Sequence, residues 1–330
     1  MSELRRDPTT REWVIIATER AARPHSFQRS PERRSTSREG CPFCPGRESE
    51  TPPEVLVYPQ DGPWRVRVVP NLYAALIPEG STERRMVDGH FMAMDGIGAH
   101  EVVIETPDHD RPIALMSDEE VLAVLRAYQE RYLALKESPS VRFIVIFKNH
   151  GPRAGTSLEH PHSQIVATPI APLRVRRKFE IATEHYDARG SCLYCDVAKW
   201  ERQAGRRVVM ENDGFLVVHP YASRSPFETW IFPKAERPCF ADIEQEELRE
   251  LATVLRTTLR KIYRALGDPD FNYIVHTAPV EDERKLYFLW HIQIVPRLTT
   301  AAGFEMGSGI YINTALPEET ARFMREFPDD

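Results

Sequence analysis

His160 and His162 stand two residues apart in Gly155-Thr-Ser157-Leu-Glu-His160-Pro-His162-Ser-Gln164, and Gln164 continues the same spacing. In an extended chain alternate side chains share a face, so these three would line up together. An imidazole beside a phosphate can attack phosphorus, and one beside thiolates can hold a metal. The pair is consistent with one histidine for each task. Upstream, Gly155-Thr-Ser157 supplies a pliant backbone and a hydroxyl suited to close approach of a phosphate. His-x-His alone is common on exposed strands, so its weight here comes from its company.

That company is two Cys-x-x-Cys pairs, Cys41-Pro-Phe-Cys44 and Cys192-Leu-Tyr-Cys195. Each sets two thiols on one turn, half of a tetrahedral zinc site. For the first pair, His109 and His160 are the candidates for the other half, giving Cys41, Cys44, His109 and His160 as ligands of a structural Zn2+. A redox dithiol normally opens a helix, whereas Pro42 and Pro45-Gly46 suggest a knuckle.

Short β-branched runs that read as strands surround these residues: 12–17, 64–69, 100–105 and 141–147. Ser117-Asp-Glu-Glu120 opens a helix with a capping box, followed by apolar Val121, Leu122, Leu125, Tyr128 and Tyr132. The same order then returns. Cys41-x-x-Cys44 is echoed by Cys192-x-x-Cys195, strand 101–105 by 228–232, the helix by 244–266, strand 141–147 by 271–275, and His160-Pro-His162-Ser-Gln164 by Leu289-Trp-His291-Ile-Gln293. Such repetition implies two related halves, 1–175 and 176–330. The expected fold is α+β, a mainly antiparallel sheet with helices packed on one face. Sliding the halves together puts Ala235 near the place of His109 and Leu289 at that of His160. The second thiol pair therefore lacks its imidazoles, and Cys192 and Cys195 form only half of a second metal site. The polar run 29–40 reads as a loop.

The bulk properties bound the rest. A chain of 330 residues with 42% hydrophobic and 28% charged residues has the composition of a soluble globular protein. A net charge of −6 argues against nucleic acid as a partner. No apolar run approaches a membrane span, and the first residues carry no apolar signal segment, so a cytoplasmic protein is expected.

Taken together, the His160-Pro-His162-Ser-Gln164 motif, Cys41-Pro-Phe-Cys44, Pro107-Asp-His109 and Phe147-Lys-Asn149…Gly155-Thr-Ser157 resemble the galactose-1-phosphate uridylyltransferase family. The similarity runs from Arg6-Asp-Pro-Thr-Thr to Tyr311-Ile-Asn313. That family is the transferase branch of the histidine-triad superfamily, and its subunit is two fused histidine-triad-like halves. The resemblance implies that His162 takes a nucleotidyl group from a nucleoside diphosphate sugar and that Gln164 hydrogen-bonds the phosphoryl group. It implies Asn149, Gly155 and Ser157 around the phosphates, Asn71 near the nucleoside, and Arg20 and Arg23 on the sugar phosphate. It also implies small-molecule substrates and a homodimer.

The favoured activity is uridylyl exchange between UDP-glucose and a hexose 1-phosphate, galactose 1-phosphate. Ser163 in place of glycine and Asn71-Leu72 are more similar to the ADP-glucose phosphorylase branch, which is the alternative. There phosphate is the second acceptor. A histidine-triad hydrolase is disfavoured because Gln164, standing where the triad has its third histidine, cannot titrate. A zinc scaffold without activity would leave His162, Arg20 and Arg23 idle.

Overall fold

The computed structural model describes residues 2–17, 27 and 37–328. Arg20, Arg23 and most of the polar run 29–40 lie outside the described residues.

Among the described residues, ten strands make one sheet. The earlier half supplies β1 (Leu56–Tyr58), β2 (Val66–Pro70), β3 (Ala99–Ile104), β4 (Phe143–His150) and β5 (His162–Thr168). The later half supplies β6 (Val208–Glu211), β7 (Phe215–Val218), β8 (Thr229–Pro233), β9 (Phe271–His276) and β10 (His291–Pro296). Their spatial order is β6-β7-β8-β10-β9-β4-β5-β3-β2-β1, every pair antiparallel. Read outward from the centre, the two halves have the same order. They meet where β4 pairs with β9, Phe147 opposite Ile274.

Strand alternation gives the sheet two apolar faces with different covers. On one lie the helices α1 (Asp118–Lys136) and α4 (Gln245–Leu266). Val121, Leu125, Leu251 and Leu255 pack there on Ile144, Ile146, Ile165, Ile292 and Ile294. Each such side chain contributes about 1.5–3 kcal/mol by leaving water. The expected capping box is present: Ser117 Oγ accepts from Glu120 N, and Ser117 N donates to Glu120 Oε2 at 2.7 Å.

Two more helices lie on the opposite face, over the later half alone. Phe179 and Ala182 of α2 (Leu173–Arg189) and Leu193, Tyr194 and Val197 of α3 (Leu193–Ala204) pack on Leu216, Val218, Trp230 and Phe232. Over the earlier half, among the described residues, that face carries a small cluster of Cys41, Phe43, Val69, Val102 and Ile104.

The strand expected at 12–17 is Trp13–Ile16, in a separate three-stranded sheet with Glu3–Arg6 and Tyr311–Asn313. Among the described residues, no helix is long and apolar enough to cross a membrane.

Candidate active site and metal centre

The site forms where, among the described residues, no helix covers the earlier half of the sheet. β5 begins at His162, and its imidazole projects on the face opposite α1, since Ile165 and Ala167 take the other side. His162 Nδ1 lies 2.8 Å from His160 O. A carbonyl only accepts, so Nδ1 carries the hydrogen and Nε2 keeps the lone pair. Burial pulls the His162 pKa below its ordinary value, against the His160 carbonyl bond, so the ring is neutral near pH 7. Phe43 packs against this ring, centroids 5.4 Å apart.

Beside it opens a cavity of about 610 Å³, lined among others by His109, Lys148, Asn149, His150, Thr156, His160, His162 and Asp268. Its mouth exists because β4 and β5 part company. Their ladder ends at Phe147 opposite Gln164, before His162 is reached.

Cys41, Cys44, His109 and His160 converge next to this cavity, their donor atoms all within 4.8 Å of one another. The Cys41–Cys44 segment is a turn, with Cys44 N donating to Cys41 O, as the prolines led one to expect. The sulfur-to-nitrogen edges are 3.3 Å for Cys44–His109, 3.6 Å for Cys44–His160 and 3.7 Å for Cys41–His160, each to Nδ1. A tetrahedral zinc ion needs such edges at about 3.5 Å. His160 Nε2 donates to Thr106 O at 2.7 Å, which leaves Nδ1 as the coordinating atom. Burial lowers the His160 pKa to about 4, keeping it in the neutral, ligating form. Burial and the neighbouring Cys41 push the Cys44 thiol up to about 11, a penalty that a cation would reverse. The donor set therefore fits a metal ion.

The second thiol pair departs from the partial site read in the sequence. Cys192 and Cys195 are joined as a disulfide, and among the described residues no third ligand assembles there. Cys192 is the N-cap of α3, its sulfur accepting from Cys195 N at 3.2 Å, so this pair opens a helix. Glu236 borders the same surface, but Cys239 is buried on the far face in the α4 core. A second zinc on Cys192 and Cys195 is thus not supported.

A family model described as galactose-1-phosphate uridyl transferase, N-terminal domain, matches residues 1–172, more than half of the chain. The chain belongs to the galactose-1-phosphate uridylyltransferase family. A second model, described only as a domain of unknown function, matches residues 115–326. An ADP-glucose phosphorylase from Arabidopsis thaliana is 37% identical over 98% of this chain and 92% of its own. A galactose-1-phosphate uridylyltransferase from Thermotoga maritima is 30% identical over 99% and 98%. Among solved structures, an Arabidopsis ADP-glucose phosphorylase with bound ADP-glucose superposes with a TM-score of 0.86 at 35% identity, covering 99% of both chains. A uridylyltransferase gives 0.77 at 28% identity, covering 98% and 97%.

In this uridylyltransferase-family chain the expected site residues fall into three groups. His162 and Asn149 line the cavity, and Asn149 Oδ1 accepts from Asn272 of the later half at 2.7 Å. Gly155 and Ser157 sit on its bounding loop, Gly155 just before lining residue Thr156 and Ser157 between Thr156 and Leu158. Gly155 needs its φ of +89°, and a Cβ there would come to 3.8 Å from Asn149 Nδ2. Asn71 and Gln164 are linked through a residue the sequence reading passed over, His100, at 3.0 and 2.7 Å from its Nε2. No local signal marked it: His100 shares a strand face with Val102, and only the sheet pairing sets Val102 opposite Gln164.

Sequence reasoning also gave no role to Lys148 and Glu105, an ion pair at 2.6 Å with side chains 1% and 0% exposed. Nor did it find the His150–Asp268 pair at 2.8 Å on the cavity wall.

Proposed function

We infer that this chain moves a nucleotidyl group from a nucleoside diphosphate hexose to a phosphate-bearing acceptor in two displacements through His162. The observation carrying this reading is the His162–His160 carbonyl bond beside the cavity: it directs a neutral, unprotonated Nε2 away from the backbone. In the first step Nε2 forms a bond to the α-phosphorus, the bond to the bridging oxygen breaks, and hexose 1-phosphate departs. In the second, an acceptor phosphate oxygen attacks the same phosphorus and the phosphorus–nitrogen bond breaks. No net proton transfer is needed, which suits a site whose work is positioning and charge neutralisation.

In this reading Gln164 and Asn149 bond the transferring phosphoryl group, and Gly155 and Ser157 shape the loop over it. Asn71 lies at the nucleoside, and Arg20 and Arg23 grip the sugar phosphate. Zinc on Cys41, Cys44, His109 and His160 supplies a rigid cross-link that fixes the backbone beside the nucleophile. Two halves, 1–175 and 176–330, a homodimer and a cytoplasmic setting complete the proposal.

Two donors fit the family. UDP-glucose with a hexose 1-phosphate acceptor makes the chain a uridylyltransferase, and ADP-glucose with phosphate makes it a phosphorylase. The similarity to the Arabidopsis phosphorylase, 37% against 30% for the Thermotoga uridylyltransferase, favours testing ADP-glucose first. Ser163 and Asn71-Leu72 point the same way.

Intact mass after mixing with each sugar nucleotide separates the readings. A uridylyl gain from UDP-glucose that vanishes in His162→Gly supports the uridylyltransferase, and an adenylyl gain from ADP-glucose alone supports the phosphorylase. No gain with either donor, from folded, metal-loaded protein, would sink the nucleophile assignment for these donors.

A further inference from the structure

Opening the sheet at His162 has a structural cost. Where the β4–β5 ladder stops, the backbone of His162 lies beyond its regular hydrogen bonds. The donor that reaches it is a side chain: Lys148 Nζ lies 3.0 Å from His162 O. Lys148 is in turn held by Glu105 Oε2 at 2.6 Å. Strand alternation puts both side chains on the α1 face, behind the imidazole, because Ile144 and Ile146 of β4 and Val103 of β3 pack there. Ser163 faces the same way and accepts from Tyr128 at 2.6 Å. The residue after the nucleophile is therefore anchored as well.

The later half provides an internal control. Phe147 lies opposite Gln164, and Ile274 opposite Gln293. One residue further along, Val275 takes the place of Lys148. Likewise Val102 lies opposite Gln164 and Trp230 opposite Gln293, so three residues on, Pro233 takes the place of Glu105. Two buried charges in the earlier half thus replace two apolar residues in the later one. The fold can be built without the pair. Nor is the pair fully satisfied, for Glu105 Oε1 is buried with no hydrogen-bond partner. Stability alone favours the apolar version.

We propose that Lys148, oriented by Glu105, is a positioning residue: its ammonium holds the carbonyl of His162 and so aims Nε2 at the incoming phosphorus while β4 and β5 stay apart. This rests on His162 being the nucleophile. Through the main chain the contact reaches the two atoms that matter, since His160 O orients the ring and His162 O fixes the residue carrying it. A displacement of about 1 Å at a reacting atom costs on the order of 10²-fold in rate.

The test is single-turnover adduct formation, followed by intact mass across a range of ADP-glucose or UDP-glucose concentrations. It compares the wild type with Lys148→Met/Glu105→Gln, which removes both charges, and with the swap Lys148→Glu/Glu105→Lys. Folding and bound metal are checked for each. The double neutral variant is expected to fold and to form adduct about 10²-fold more slowly at saturation, with the half-saturating donor concentration within about twofold of the wild type. The swap restores an ion pair but puts a carboxylate where His162 O needs a donor, so it stays slow even if its thermal stability recovers.

Wild-type rates in the double neutral variant would overturn the proposal, as would a swap that restores the rate. A loss confined to half-saturation would also overturn it, as the pair would then serve donor binding. Absence of adduct in the wild type itself is a different failure: the nucleophile assignment falls, and the positioning role with it.

Discussion

His162 and His291 are the same residue twice. Each opens its strand, and each points Nδ1 at the carbonyl two residues earlier, at 2.8 Å and 3.0 Å. Their surroundings differ entirely. His162 borders an open cavity, whereas His291 is 0% exposed and stacked against Tyr194, Trp230 and His276 at 5.1, 5.0 and 4.7 Å. Tyr194 comes from α3, which covers this face in the later half only. The ladders differ too: β9 and β10 stay paired through His276 opposite His291, while β4 and β5 separate before the corresponding residues. A repeated fold can thus orient an imidazole in both copies. In the proposed reading, chemistry falls to the copy where, among the described residues, no helix covers the sheet and its strands part.

The sharpest way to break this comparison is to delete each imidazole. His162→Gly is expected to lower turnover by about 10⁴-fold or more, as loss of a covalent nucleophile does. His291→Gln should leave adduct formation within about threefold, since no substrate reaches it. An adduct that persists in His162→Gly and vanishes in His291→Gln would reverse the roles assigned to the two halves.

Metal removal probes the cysteine pairs in the same spirit. Cys41→Ser is expected to lose the ion and about 3 kcal/mol or more, roughly 5–10 °C in Tm. Cys192→Ser should keep the metal content unchanged. Three of the five cysteines, Cys41, Cys44 and Cys239, are free, so the metal-stripped, unreduced, unfolded chain should take up three thiol labels. Five labels would show the Cys192–Cys195 disulfide absent in solution, and two metal ions per chain would restore a second site.

Much of this contrast was legible in the sequence, for reasons that differ by residue. The period-two spacing of His160, His162 and Gln164 announces a strand face, and the prolines around Cys41 and Cys44 announce a turn. The order of repeated segments implied two related halves with matching strands, but not their union in one ten-stranded sheet, because the pairing of β4 with β9 leaves no local pattern. Lys148, Glu105 and His100 were hidden because their partners are remote in sequence: 43 residues separate Lys148 from Glu105, and 64 separate His100 from Gln164. A lysine in a strand reads as solvent-facing until pairing is known. The cover over His291 was hidden too, because α2 and α3 show which sheet face they occupy only once packed.

Acid should expose the sealed histidines of the later half. Burial pulls both His291 and His219 down to about 3 in the folded chain, against about 6.5 when unfolded. The folded state therefore binds fewer protons below pH 6.5. Stability from each is complete above that pH and is lost as the pH falls toward 3, at about 1.4 kcal/mol per pH unit and group. Denaturant melts at pH 7, 6 and 5 are expected to show this decline, and His291→Gln should flatten it by about one proton's worth. An unchanged slope in that variant would mean that His291 is not sealed as described.

The smallest effect concerns the loop that only the open half requires. Gly155 sits at φ +89° with room for a Cβ, whose nearest neighbour would be Asn149 Nδ2 at 3.8 Å. Gly155→Ala therefore meets no clash, only the backbone penalty of a left-handed conformation, about 1–2 kcal/mol. If the loop is held rigidly, that penalty appears as lost stability, with the half-saturating donor concentration unchanged. If the loop instead relaxes, Thr156 loses its bond to Asn149 O, and half-saturation rises several-fold at nearly unchanged Tm. The rigid outcome is expected, because Asn149 is also tied to Asn272 across the junction of the halves. A large loss of both stability and rate would mean that the cavity wall depends on Gly155 in a way this geometry does not contain.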